Sequence, residues 1–255
     1  MKYLILLVML WCTAPVLYAQ EIRMSASAAL EQVYGETVVS EALKPFNELN
    51  KEFGYVVYEA KIAVESNDAV LQLENVRDYA AVYVDSVLQG TLTNSQNKLE
   101  LHVGAGEYTL RLYAENIGRI TYGPEILDNW KGLFGSITLD GEEIEGWKIT
   151  PLNVKEFQVS DLKFVSEDAG VLPRFHKAVF NLAKPESTYL DMSGWGMGEV
   201  WVNGQYIGSY WENEKLKSIQ VPAELLKKDK NEIVVFELKS NQQRAIKLVN
   251  APVFN

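Results

Sequence analysis

The hydrophobic positions of this chain fall in short runs that suit strands. Gly54 to Val64, Ala69 to Glu74, Ala80 to Val84, Lys98 to Val103, Tyr108 to Glu115, Ser136 to Leu139, Arg174 to Leu182, Thr188 to Met192, Glu199 to Val202, Ser218 to Val221 and Asn231 to Leu238 are rich in Val, Tyr, Leu and Ile. Clusters of Gly, Asn, Asp or Pro break them at intervals suited to antiparallel sheets. Helical periodicity is scarce. Ala26 to Val33 and Pro45 to Lys51 have room for a few helical turns, and Pro222 to Lys228 reads as one turn with Pro at its start. The pattern predicts an all-β chain of two β-sandwiches.

An internal repeat divides the chain in two. Val82, Tyr83, Val84, Asp85, Gly90 and Thr91 correspond to Val200, Trp201, Val202, Asn203, Gly208 and Ser209, each pair 118 positions apart, and Val103 and Val221 keep that offset. The strands Tyr108 to Glu115 and Ile233 to Glu237 align once about four extra residues are allowed in the second copy. Asn203-Gly204 is a strong two-residue hairpin signal, because both residues tolerate positive φ, and Asp85-Ser86 is a weaker version of it. The domains are therefore placed at Leu43 to Leu152 and Val171 to Leu248. Residues 153–170 are read as a linker, 20–42 as an extended or partly helical lead-in, and 249–255 as a tail.

Residues 1–19 have the layout of a secretory signal peptide. Lys2 is the positive start, Tyr3 to Trp11 are apolar, and Thr13, Ala14 and Pro15 lead to Ala19. Nine apolar residues are too few to span a bilayer as a helix. Cleavage there implies a secreted, periplasmic or cell-surface protein and removes Cys12, the one cysteine, so disulfides, thiolate nucleophiles and cysteine metal sites are not expected.

Charge narrows the partners. The 255 residues carry 24 Lys and Arg against 34 Asp and Glu, a net charge of −10 that disfavours nucleic acid and anionic membranes. His102 and His176, the two histidines, sit in different repeats without the spacing of a helical zinc pair, so no metal or cofactor is expected. The glycine-rich Gly194 to Gly198 stretch lacks the Lys-Ser/Thr pair and helix of a phosphate loop, and no Gly-x-Ser-x-Gly elbow occurs.

Several motifs occur together in a familiar order: Phe53 to Tyr58, Ala80 to Asp85, Glu115-Asn116-Ile117-Gly118-Arg119-Ile120-Thr121-Tyr122-Gly123-Pro124, Lys131-Gly132, Gly146-Trp147-Lys148-Ile149 and Pro151-Leu152. Tyr189 to Ser193, Trp195 to Gly204 and Ile207 to Trp211 continue the series. This order, from about Val39 to Leu238, resembles the region that follows the catalytic barrel in family 35 glycoside hydrolases, the β-galactosidases. The resemblance implies two tandem jelly-roll domains of the galactose-binding-like type. Met197 and Ser209 stand where that family commonly carries basic residues, which weakens contacts to a barrel or ligand. The acid/base and nucleophile glutamates of the family lie on a barrel of about 250 residues, and no counterpart precedes the first match here. No catalytic residue is therefore assigned. Asn231-Glu232 opens a strand in a Lys-rich edge, and Glu74 and Glu115 end apolar strands where turn amides are the expected partners.

Binding is the open chemistry. Trp195, Trp201, Tyr206, Tyr210 and Trp211 gather around one hairpin. An exposed ring there can stack on the apolar face of a sugar while Asn203 or Asp191 bonds its hydroxyls. Trp201 lies mid-strand and is read as core, whereas Trp195 and Trp211 lie near turns and are read as platforms. The candidate carbohydrate site is thus Trp195, Tyr206, Tyr210, Trp211, Asn203 and Asp191. The expected protein is secreted and non-catalytic, binding a galactoside or other glycan, or assembling with a glycosidase or cell-surface partner. The alternative is a component of a β-galactosidase acting on terminal β-galactosides with a separately encoded barrel.

Overall fold

A computed structural model describes residues 20–116, 130–166, 172–239 and 243–255. The expected signal peptide with Cys12, and the Ile117 to Pro124 part of the family motif, lie outside the described residues. Among the described residues, twenty strands, numbered in chain order, form four antiparallel sheets, and the helices beside them are short 3-10 turns. The expected all-β pair of jelly-roll sandwiches is what the chain forms.

The first sandwich pairs two sheets. One runs β3 (Val38–Ser40), β12 (Trp147–Leu152), β4 (Gly54–Val64), β9 (Gly106–Asn116), β6 (Tyr79–Val84), β7 (Val87–Thr93). The other runs β11 (Glu142–Glu143), β10 (Gly132–Leu139), β5 (Val70–Arg77), β8 (Lys98–Glu100). The second sandwich repeats this plan. Its six-stranded sheet runs β13 (Val165–Ser166), β2 (Ala26–Ala29), β14 (Arg174–Leu182), β19 (Asp229–Glu237), β16 (Met197–Val202), β17 (Gln205–Trp211). Its four-stranded sheet runs β1 (Gln20–Arg23), β20 (Ala245–Val249), β15 (Thr188–Asp191), β18 (Ser218–Val221).

The two six-stranded sheets pack face to face, so the molecule is a stack of four layers. Side chains alternate across a strand, and β4 shows the consequence: Val56, Tyr58, Ala60 and Ile62 fill the first sandwich, while Tyr55 and Val57 turn toward the second. Three cores result. One lies inside each sandwich, and a third fills the seam between them with Tyr55, Tyr79, Tyr83, Tyr113, Phe175, Trp201 and Phe236. The seam aromatics meet edge-on or tilted: Tyr55 and Phe236 at 5.2 Å, Tyr83 and Tyr113 at 5.5 Å, Phe175 and Phe236 at 5.3 Å. Burying each such ring contributes roughly 1.5–3 kcal/mol, so the seam is a core in its own right.

Residues 20–42 add strands to both sandwiches. β1 pairs with β20 and β2 with β14, both in the second sandwich, while β3 pairs with β12 in the first. The segment read as helical from Ala26 to Val33 is a strand followed by a 3-10 turn, because the open edge of β14 offers its backbone a ladder. The linker also takes part, since β13 adds to β2 and Val159 and Leu162 enter the seam. In the tail, Val253 and Asn255 bond backbone groups of Lys217 and Lys215.

Candidate functional site

The β16–β17 hairpin turns at Asn203-Gly204 as its sequence demands, with both residues at positive φ (51° and 80°). Its polar corner is fully engaged. Asn203 Nδ2 donates to Leu225 O at 2.7 Å and to Asn231 Oδ1 at 2.9 Å, and its Oδ1 accepts from the Glu232 N–H at 3.0 Å. Asn203 is thus the peg that ties the hairpin to β19.

The aromatic platform is not there. Trp195 is 1% exposed, inside the second sandwich, with its ring against His176 and Tyr210 and its Nε1 donating to Ala245 O at 3.0 Å. Tyr210 is buried beside it, its hydroxyl donating to Phe236 O at 2.8 Å. Trp211 leans into the seam on Tyr79, with ring centroids 6.1 Å apart. Tyr210 and Trp211 alternate along the edge strand β17, one toward the second sandwich and the other toward the seam, while Trp195 precedes β16 with its indole turned inward. Trp201 is core, as its mid-strand position implied. Tyr206 stays accessible, at 48% exposure, with its hydroxyl on Glu199 Oε2 at 2.8 Å. The six candidates therefore do not form one site.

A polar cluster that the sequence did not announce lies in the seam. Glu199 on β16 is 0% exposed and Glu115 on β9 is 6% exposed. Glu199 Oε1 takes the Tyr55 hydroxyl at 2.8 Å and the Lys155 ammonium at 2.9 Å, while Oε2 takes Tyr206. Lys155 also sits over the Tyr206 ring at 5.8 Å. Glu115 Oε2 is buried with no hydrogen-bond partner. Burial, and next the charge of Glu199, push the Glu115 carboxyl up to about 8, against an opposing hydrogen bond from Tyr55. The Tyr55 and Tyr206 hydroxyls are pushed up for the same reasons, burial first. The signal that could have found the cluster is Met197-Gly198-Glu199-Val200-Trp201-Val202 itself, a carboxylate within a strand apolar on both faces.

A glycosidase pair needs two carboxyls held in different states. Here Glu115 and Glu199 are both buried between the sheets, and the Tyr55 hydroxyl donates to Glu199 Oε1. The other acids are structural: Glu74 accepts from the Ser136 N–H at 3.0 Å, and Glu232 pairs with Lys177 at 2.7 Å. Glu115 is a correction to its expected turn role, since it faces the seam instead. Among the described residues no group of three His, Cys, Asp or Glu side chains is placed to hold a metal ion.

Asp191 lies elsewhere, on the outer sheet, beside a polar cleft of about 380 Å³ lined by Glu21, Arg23, Ser193, Gln243 and Lys247 among others. Register aligns Glu21, Lys247 and Asp191 across β1, β20 and β15, an acid–base–acid row. Asp191 Oδ1 accepts from the Ser193 N–H at 3.0 Å, which shapes the turn before Trp195.

Comparison with known proteins matches this architecture. A family model described as beta-galactosidase, first all-beta domain, matches residues 44–153, and one described as beta-galactosidase, galactose-binding domain, matches residues 173–231. The chain carries accessory domains of the β-galactosidases. A β-galactosidase of Xanthomonas manihotis is 32% identical over 187 residues, covering 72% of this chain and 31% of that protein. The human beta-galactosidase-1-like protein 2 is 32% identical over 216 residues, covering 80% and 33%. The chain spans about a third of the length of these β-galactosidase relatives. Among solved structures, the apo form of Pleurotus ostreatus lectin aligns over 94% of this chain and 85% of its own, at 11% identity and a TM-score of 0.31. The two family models fall on both sandwiches and leave β1, β2 and β20 outside them, although these strands complete the second.

Proposed function

We propose that this chain is the non-catalytic accessory body of a β-galactosidase, exported to the periplasm, cell surface or medium, and that its task is assembly with a catalytic barrel. The observation that carries the reading is the direction of the large aromatics. Trp195 and Tyr210 stiffen the second sandwich, and Trp201 and Trp211 join it to the first, so the side chains best suited to grip a sugar build a rigid block. Rigidity is what a docking body supplies, because it holds a partner without further ordering cost. Size-exclusion chromatography with a family 35 barrel tests this, and co-elution is expected. Hydrolysis of a nitrophenyl β-galactoside by the purified chain, abolished by one point substitution, would overturn it.

A second reading rests on the cleft beside Asp191, which has the size and polar lining of a small-ligand pocket. Its occupant would be a galactoside held by hydrogen bonds without an aromatic platform. Titration calorimetry with lactose separates the readings: saturable heat that Asp191→Ala removes favours the cleft, and a flat titration at millimolar sugar leaves assembly.

A further inference from the structure

Glu115 and Glu199 belong to different sandwiches and face each other across the seam. On its own sheet Glu115 stands between Tyr55 of β4 and Tyr79 of β6, its cross-strand neighbours on either side. Asp78, preceding Tyr79, donates its backbone N–H to the Glu115 carbonyl at 3.1 Å, and its carboxylate is held by Lys131 at 2.7 Å. From the opposite sheet come Glu199 of β16 and Tyr206 of β17, and Lys155 approaches from the segment after β12. Glu212, just past β17, and Glu237, whose carboxyl turns away from the seam to the Gly196 and Met197 amides, also act on Tyr79.

The donors are unevenly shared. Tyr55, Tyr206 and Lys155 all reach Glu199, where the Lys155 ammonium, which can only donate, suits a carboxylate, while Glu115 has only a share in the Tyr55 hydroxyl. Glu115 Oε2 has no donor. Lys155 is one cation between two carboxyls, so a second ionised carboxyl would leave an uncompensated charge in a closed, apolar layer. A proton on Glu115 removes that charge.

We propose that Glu115 holds a proton across the seam from an ionised Glu199, and that losing this proton weakens the union of the two sandwiches. The block is then firmest in weakly acidic solution. The inference does not depend on what the module binds. Its direction follows from linkage. The Glu115 carboxyl, raised in the folded chain to about 8 from an ordinary 4.5, keeps a proton that the unfolded chain gives up. The stabilisation is complete below the unfolded value and is lost as pH rises through the folded one.

Thermal unfolding of the full chain between about pH 5 and pH 9 tests the proposal. The wild-type midpoint is expected to fall across that window, and Glu115→Gln, a neutral mimic of the protonated acid, is expected to flatten the fall. Equal pH dependence in both chains would overturn it. Infrared spectroscopy of the wild type needs no variant: a buried protonated-carboxyl band should persist at neutral pH and disappear near pH 8. Glu199→Gln should shift that disappearance to lower pH, which a merely structural role would not do. Absence of the band at pH 6 contradicts the proposal even where Glu115→Gln fails to fold.

Discussion

The hairpins β6–β7 and β16–β17 are one backbone written twice. Asp85 and Asn203 both adopt φ of 51° at the turn, and both strand pairs shift register at the same place, after Val82 and after Val200. Each turn residue reaches the strand beyond it: Asp85 accepts from the Thr109 N–H at 2.9 Å, as Asn203 accepts from the Glu232 N–H at 3.0 Å. The side chains they aim into the seam differ. The first hairpin gives Tyr79, Ala81 and Tyr83, and the second gives Met197, Glu199 and Trp201. Turn chemistry therefore fixes the shape of each half, while a few inward positions decide how the halves meet. The seam is asymmetric: its buried acids, Glu115 and Glu199, have Leu238 and Ala81 at the equivalent positions of the other half.

The sharpest break between the halves is at Gly198, which occupies the place of Ala80. A Cβ there would lie 1.8 Å from the Phe236 carbonyl oxygen and 2.9 Å from the Tyr210 hydroxyl. Gly198→Ala is expected to cost about 4 kcal/mol or more, enough to abolish folded protein, because backbone must move to admit it. The reverse change in the first half, Ala80→Gly, is expected to cost only about 1 kcal/mol through chain entropy and a lost methyl. Denaturant unfolding of both variants checks the contrast.

Next in size is Trp201→Ala. This ring joins Phe157, Phe175 and Tyr206 at 5.4 to 6.2 Å, and its loss should cost about 3–5 kcal/mol. The same assay reads it, and a cost below about 1 kcal/mol would mean that the seam is not a true core. The turn pegs come last. Asn203→Ala removes three hydrogen bonds and Asp85→Ala removes the side-chain bond from Thr109, so costs of about 2 and about 1 kcal/mol are expected. Equal costs would show that the two further bonds of Asn203 contribute nothing.

Much of the fold was legible in the sequence. β4, β14 and β18 run between the residues that their hydrophobic runs marked, and the repeat of 118 positions places both hairpins. The strands that escaped are those whose pairing is decided at a distance. Ala26 to Ala29 carries small residues with little strand preference of its own and becomes β2 because β14 lies beside it. The candidate site was legible only as a set of residue types. Trp195 near a turn gave no sign that its indole would point inward to Ala245 on β20, a strand outside the recognised pattern. The seam was present in the sequence as strands apolar at every position, such as Tyr79 to Val84, which cannot be solvated on one face.

Differential scanning calorimetry tests most directly whether the seam makes two sandwiches into one body. A single transition, with calorimetric and van't Hoff enthalpies in agreement, is predicted near pH 6, where Glu115 retains its proton. Two separable transitions, each with the enthalpy of one sandwich, would contradict the account.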